Sequence, residues 1–96
     1  MKILALEKER PGASSADFAQ HLKAEAHAVW DLMHAGMIRE IYYREKETKA
    51  VIILEAESSQ QAQEALAQLP LVRAGLIEFE VIGLRPYTGF ARLFGG

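Results

Sequence analysis

The chain has no cysteine among its 96 residues. That excludes a disulfide framework, a thiol nucleophile and a thiolate metal site. It also lacks a basic excess: 11 Lys and Arg against 13 Asp and Glu give a formal net charge of −2. Nucleic acid and anionic membranes both favour a basic field, so neither is an expected partner. No apolar run approaches the ~20 residues of a membrane span. The first ten residues, MKILALEKER, turn charged at Glu7 and show no signal-peptide cleavage region. A cytoplasmic protein is the default expectation. Familiar catalytic signatures are missing too: there is no glycine-rich phosphate loop, no G-x-S-x-G turn and no H-E-x-x-H helix. No repeat or low-complexity segment is present.

What is present is globular: half of the residues are hydrophobic and a quarter are charged. The length suits one domain, placed at residues 1–86, followed by a tail at 87–96. That tail, PYTGFARLFGG from Pro86 on, carries Tyr87, Phe90, Leu93 and Phe94. It is too apolar for a free terminus and is expected to pack on its own domain or on a neighbouring subunit.

The segment KILALEK (residues 2–8) reads as a buried strand, and Pro11-Gly12 as a turn. Residues 14–36 form one long amphipathic helix by periodicity, with Ser14 and Asp17 as a capping box and Gly36 as its C-cap. MIREIYYR (37–44) and AVIILEA (50–56) read as strands joined by a polar hairpin, and the second is apolar on both faces. A second helix starts at Ser58, with Gln61 as a candidate capping partner, and Pro70 is expected to end it. LIEFEVIGL (76–84) alternates, with Ile77, Phe79 and Val81 on one face.

The order strand, helix, strand, strand, helix, strand predicts an α+β, ferredoxin-like βαββαβ fold: a four-stranded antiparallel sheet with two helices on one face. Two helices cover only one face, while the third strand is apolar on both. The other face is therefore expected to meet a second copy of the chain, sheet against sheet. A ligand cavity is expected between sheet and helices or between sheets. The same order occurs in RNA-recognition domains, but residues 2–8 and 50–56 supply no aromatic platform.

Glu25 is the residue that most needs explaining. At ~100° per residue from Phe18, Val29 falls near ~20°, Leu22 near ~40°, Met33 near ~60° and Leu32 near about −40°. Glu25 falls near about −20°, inside that apolar stripe, where an unpaired carboxylate is costly. It is a poised acid or base, its pKa raised by desolvation, or it is paired with Arg39, Arg44 or a tyrosine hydroxyl, or the helix is rotated and Glu25 snorkels at its edge. His21, one turn earlier, borders the stripe and is placed to tune Glu25 or share its proton work. Two such ligands do not make a metal site. Arg39 and Arg44 flank Tyr42 and Tyr43, and either arginine offers a fork for a carboxylate-bearing small molecule. They are five residues apart, so a regular strand points them to opposite faces unless a bulge intervenes. Trp30 lies off the centre of the stripe, as a pocket wall or a core-edge aromatic.

The segments LKAEAHAVWDLMHAG, MIREIYYR, QEALAQLPL and FEVIGL together resemble the muconolactone isomerase-like family of dimeric α+β barrel proteins. The likeness spans roughly residues 22–86 and consists of a helix with an inward glutamate, a glycine, a strand bearing two arginines and a helix ending in Leu-Pro-Leu. Anchored on Gly36, it places the suspected catalytic base on Glu25. Leu69-Pro70-Leu71 matches the Leu-Pro-Leu. KILALEK lacks the polar, histidine-bearing character of the catabolic isomerases, and the apolar tail differs from their polar C-terminus.

The resemblance implies a cofactor-independent isomerase, or a related proton-transfer enzyme, acting on a small unsaturated carboxylate-bearing compound. No cofactor is implied. Glu25 would be the base, Arg39 or Arg44 the carboxylate anchor, and Tyr42 or Tyr43 a donor to the charge that develops. Two alternatives stand beside it: a non-catalytic ligand-binding or assembly module on the same fold, and a cofactor-free monooxygenase. An open cavity at Glu25 marks an enzyme. A collapsed one, with Glu25 satisfied by a buried arginine, marks the module.

Overall fold

A computed structural model describes residues 1–95. Gly96, the last residue of the tail, lies outside the described residues.

The chain runs β1 (Lys2–Glu9), α1 (Ser15–Ala19), α2 (Leu22–His34), β2 (Ile38–Tyr43), β3 (Ala50–Glu55), α3 (Ser59–Leu66), α4 (Pro70–Arg73) and β4 (Ile77–Gly83). A 3-10 turn at Gly89–Leu93 follows. The sheet order is β2-β3-β1-β4, with every neighbouring pair antiparallel. This is the expected ferredoxin-like α+β fold.

Strand parity sorts the side chains. Ile3 and Ala5 of β1, Ile52 and Leu54 of β3, Ile38 of β2 and Ile77 of β4 are buried beneath the helices. Ala62 and Leu66 of α3, with Leu69 and Leu71, close that core from above. Each buried Ile or Leu contributes roughly 1.5–3 kcal/mol by leaving water. On the other face, Leu4 lies between Ile53 and Ile82, and Leu6 lies beside Val51. Among the described residues nothing forms a layer over this apolar row, and it stays half-exposed.

Two helical expectations are revised. The first predicted helix is two. The capping box forms as read: the Ser14 hydroxyl accepts the Asp17 amide at 3.2 Å, and the Asp17 carboxylate accepts the Ser14 amide at 3.1 Å. The His21 amide, however, bonds back three residues to the Phe18 carbonyl at 2.9 Å, and a new helix starts from the His21 carbonyl. Ala19, Gln20 and His21 are all compatible with a continuing helix, so local propensity does not encode this break. It re-aims α2 so that Ala28, Val29 and Leu32 pack on the sheet.

The second revision concerns Pro70, which opens a helix rather than ending one: α3 stops at Leu66, and Pro70 is the first residue of α4. Proline suits that position, since its missing N–H would have no helical partner there. Gly36 and Gly75 terminate α2 and α4 with φ of +84° and +76°, a left-handed conformation that needs glycine. In each case the next amide reaches back five residues, Met37 to Leu32 and Leu76 to Leu71, both at 3.0 Å.

The tail does not join this core. Phe94 is 86% exposed, and Tyr87, Phe90 and Leu93 are exposed as well. Tyr87 and Phe90 touch only edge to face, with ring centroids 5.0 Å apart. The chain is correspondingly elongated, 58 Å in its longest dimension.

Candidate active site

Between α2 and the helix-side face of the sheet lies a cavity of about 480 Å³. Such a volume suits a small organic ligand. Its walls follow from the parity and periodicity above. Glu25 sits on the stripe that continues through Ala28, Val29 and Leu32, so its side chain lines the cavity. On β1, the alternation Ile3, Ala5, Glu7 brings Glu7 to the same side, and its carboxylate forms part of the facing wall. Trp30 and Tyr43 stand at the rim, 65% and 70% exposed.

Each carboxylate is held by one backbone amide. Glu25 Oε1 accepts the Leu71 N–H at 2.9 Å, and Glu7 Oε1 accepts the Ala50 N–H at 2.9 Å. Leu71 is the second residue of α4, whose preceding residue, Leu69, offers no side-chain cap. Glu25 therefore satisfies a helix-end donor that nothing nearer in sequence supplies.

Desolvation by burial pushes the Glu25 pKa above the ordinary carboxylate value. The Leu71 amide opposes the rise, the Glu7 charge adds to it, and His21 opposes it. Glu7 is raised as well, again mainly by burial, against the Ala50 amide and the charges of Lys49 and Arg44.

The other expected site residues are divided. Trp30, Tyr42 and Tyr43 line the cavity with Glu25. The Tyr42 hydroxyl already donates to Glu40 at 2.6 Å, which leaves Tyr43 with the free phenol. His21 does not line the cavity; it is the N-cap residue of α2, and its carbonyl accepts the Glu25 amide at 2.8 Å.

Neither arginine lines the cavity. A bulge between Ile38 and Glu40 does interrupt β2, but Arg39 donates from Nε to the Gly36 carbonyl and lines a separate, shallower cleft with Met1, Glu55 and Gln61. Arg44 lies on the hairpin, 3.7 Å from Glu47. Glu7 was not among the residues singled out from the sequence. The parity of β1 was the available signal, masked because the charge at its end reads equally as a strand boundary.

Residues 5–89 match the muconolactone delta-isomerase family. The chain belongs to that family.

Two solved structures share its fold. One is muconolactone isomerase, 20% identical, covering 92% of this chain and 92% of that chain with a TM-score of 0.74. The other is 5-chloro-2-hydroxyhydroquinone dehydrochlorinase (TftG) from Burkholderia phenoliruptrix AC1100, in complex with 2,5-dihydroxybenzoquinone. It is 21% identical and covers 93% of this chain and 98% of that chain with a TM-score of 0.71. No curated protein matches the sequence. Family and fold together support a small-molecule isomerase or a related catalytic function. Among the described residues, no helix is long and apolar enough to cross a membrane.

Proposed function

We propose that the protein is a cofactor-independent proton-transfer enzyme, an isomerase of small unsaturated carbonyl compounds, with Glu25 as its base. One observation carries this reading. A carboxylate on the sheet-facing stripe of α2 lines an open cavity and is held there by a backbone amide rather than by a cation. An arginine partner would lower its basicity, whereas burial raises its pKa above the ordinary carboxylate value.

In the reaction, Glu25 takes a proton from the carbon between the carbonyl and the double bond, a system that becomes conjugated once the proton has left. The C–H electron pair spreads into that system and places negative charge on the carbonyl oxygen. Glu25 then returns the proton to the far carbon, which moves the double bond and restores the carboxylate. No electrons leave the substrate and no co-reactant is consumed. The Tyr43 hydroxyl and the Trp30 indole N–H are the rim donors for the transient oxyanion. His21 acts through Glu25 rather than on the substrate. An isomerase and a dehydrochlorinase on the same fold support small-molecule chemistry of this kind.

The unit that carries the site is a homodimer, with the row Leu4, Ile53 and Ile82 of one copy against the same row of a second. The tail from Tyr87 on extends beyond its own core and is the segment available to lie on the partner.

The test is isomerisation of a methyl-substituted β,γ-unsaturated five-membered lactone, followed by the absorbance of its conjugated product. Glu25→Gln retains an acceptor for the Leu71 amide but no base. It is expected to lower kcat/KM by about 100-fold or more, with an unchanged circular dichroism spectrum. A rate within a few-fold of the parent would remove Glu25 as the base.

A further inference from the structure

We propose that Glu7 and Glu25 together make this cavity select uncharged, hydroxyl- or amide-bearing rings over carboxylate-bearing ones, with Glu7 as the specificity-determining residue. The inference rests on the cavity being the substrate site, as proposed above, and names the class of ligand that it admits.

The first support is the charge of the walls. The cavity presents two carboxylates, from β1 and α2, and no lysine or arginine is among its lining residues. The nearby cations stay outside the cavity wall, although the charges of Lys49 and Arg44 reach Glu7. Arg39 bonds to the Gly36 carbonyl on the side of the second cleft. Arg44 and Lys49 both approach Glu47, at 3.7 Å and 3.6 Å. A carboxylate entering here would lose water and meet two like charges with no lining cation to offset them.

The second support is the hydrogen-bonding balance. Glu7 and Glu25 each accept one backbone amide, through Oε1 in both cases. An ionised carboxylate has about four acceptor sites, so both keep acceptor capacity that only a donor satisfies. A hydroxyl or amide N–H on the ligand makes a charge-assisted bond there, whereas an anion offers no donor at its charged end. The remaining walls fit a flat ring: Val29 and Ile41 are aliphatic, and Trp30 and Tyr43 are aromatic.

Glu7 also holds the start of β3 through the Ala50 amide. A purely structural Glu7 would do that equally well as glutamine, and this separates the two roles.

The experiment titrates the full chain with two probes of nearly equal shape, 4-hydroxybenzamide and 4-hydroxybenzoate, at about pH 8, well above the ordinary carboxylate range. Proton–nitrogen correlation spectra provide the readout. The single tryptophan, Trp30, gives one indole signal, and it sits at the rim. The amide is expected to bind about tenfold more tightly than the carboxylate. Glu7→Gln is expected to reduce that preference roughly threefold or more at unchanged thermal stability. Glu25→Gln should reduce it as well, which keeps the test decisive if one variant folds poorly. Equal or tighter binding of the carboxylate would overturn the proposal, as would a preference unchanged in both variants or millimolar indifference to both probes. Binding is read without turnover, so loss of the catalytic assignment through Glu25→Gln kinetics remains a separate result.

Discussion

The Glu25 carboxylate accepts the Leu71 backbone amide at 2.9 Å, across 46 residues of sequence. One side chain of α2 thereby serves as the cap of α4. The same bond fixes where the carboxylate stands in the cavity, so a structural and a chemical role share one group. The bond lowers its pKa, burial raises it, and burial is the larger effect.

The cap predicts a difference between two substitutions at this position. Glu25→Gln keeps an acceptor for the Leu71 N–H and should cost little stability. Glu25→Ala leaves that donor without a protein partner and should cost about 0.5–2 kcal/mol, as loss of a helix cap does. Urea unfolding of the two variants measures it. Equal midpoints would mean that the bond carries no stability.

The two raised carboxylates predict a pH dependence of stability. A glutamate whose folded pKa lies above its unfolded one binds its proton more tightly when folded. Its contribution to stability is therefore complete below the unfolded value of about 4.3 and is lost as pH rises through the folded value. Thermal unfolding of the parent should gain relative to the Glu7→Gln, Glu25→Gln double variant as pH falls from about 7 toward about 5. Asp17 and Glu55, which are lowered, act in the opposite sense and are common to both proteins. Parallel pH curves would show that neither glutamate is raised.

The exposed sheet face predicts association. Light scattering after size exclusion should give a dimer or a larger assembly at micromolar concentration. Leu4→Lys places a charge in the centre of the Leu4, Ile53, Ile82 row and should yield a folded monomer. A monomeric parent would remove the facing-sheet arrangement.

The tyrosines predict an asymmetry. Tyr43 has the free phenol at the rim, while the Tyr42 hydroxyl is bound to Glu40. Tyr43→Phe should lower kcat for the lactone about tenfold, whereas Tyr42→Phe should change it less than about twofold. Equal effects of the two substitutions would dismiss Tyr43 as the donor.

Much of this architecture is local in origin and legible in the chain. Alternation in β1, β3 and β4 fixes which side chains face the helices, because strand parity is set by backbone geometry. Ser14, Ser58 and Gly36 act as caps through the bonds and dihedrals they form themselves. The inward position of Glu25 also follows from spacing alone, since it depends only on the residues one and two turns along α2.

The rest depends on contacts between distant segments. Nothing in residues 14–36 announces the break at His21, which the packing of α2 on the sheet accommodates. Composition placed two arginines next to the tyrosines, but the bulge at Arg39 and the hairpin at Arg44 took both out of the cavity. In their place the fold put Glu7, from a strand 18 positions earlier in the chain, across from Glu25. The sequence by itself determined the order of elements and the inward carboxylate, because both obey local periodicity. Only the tertiary structure decided what that carboxylate meets, because a cavity's charge is the sum of whichever side chains separate segments bring to it.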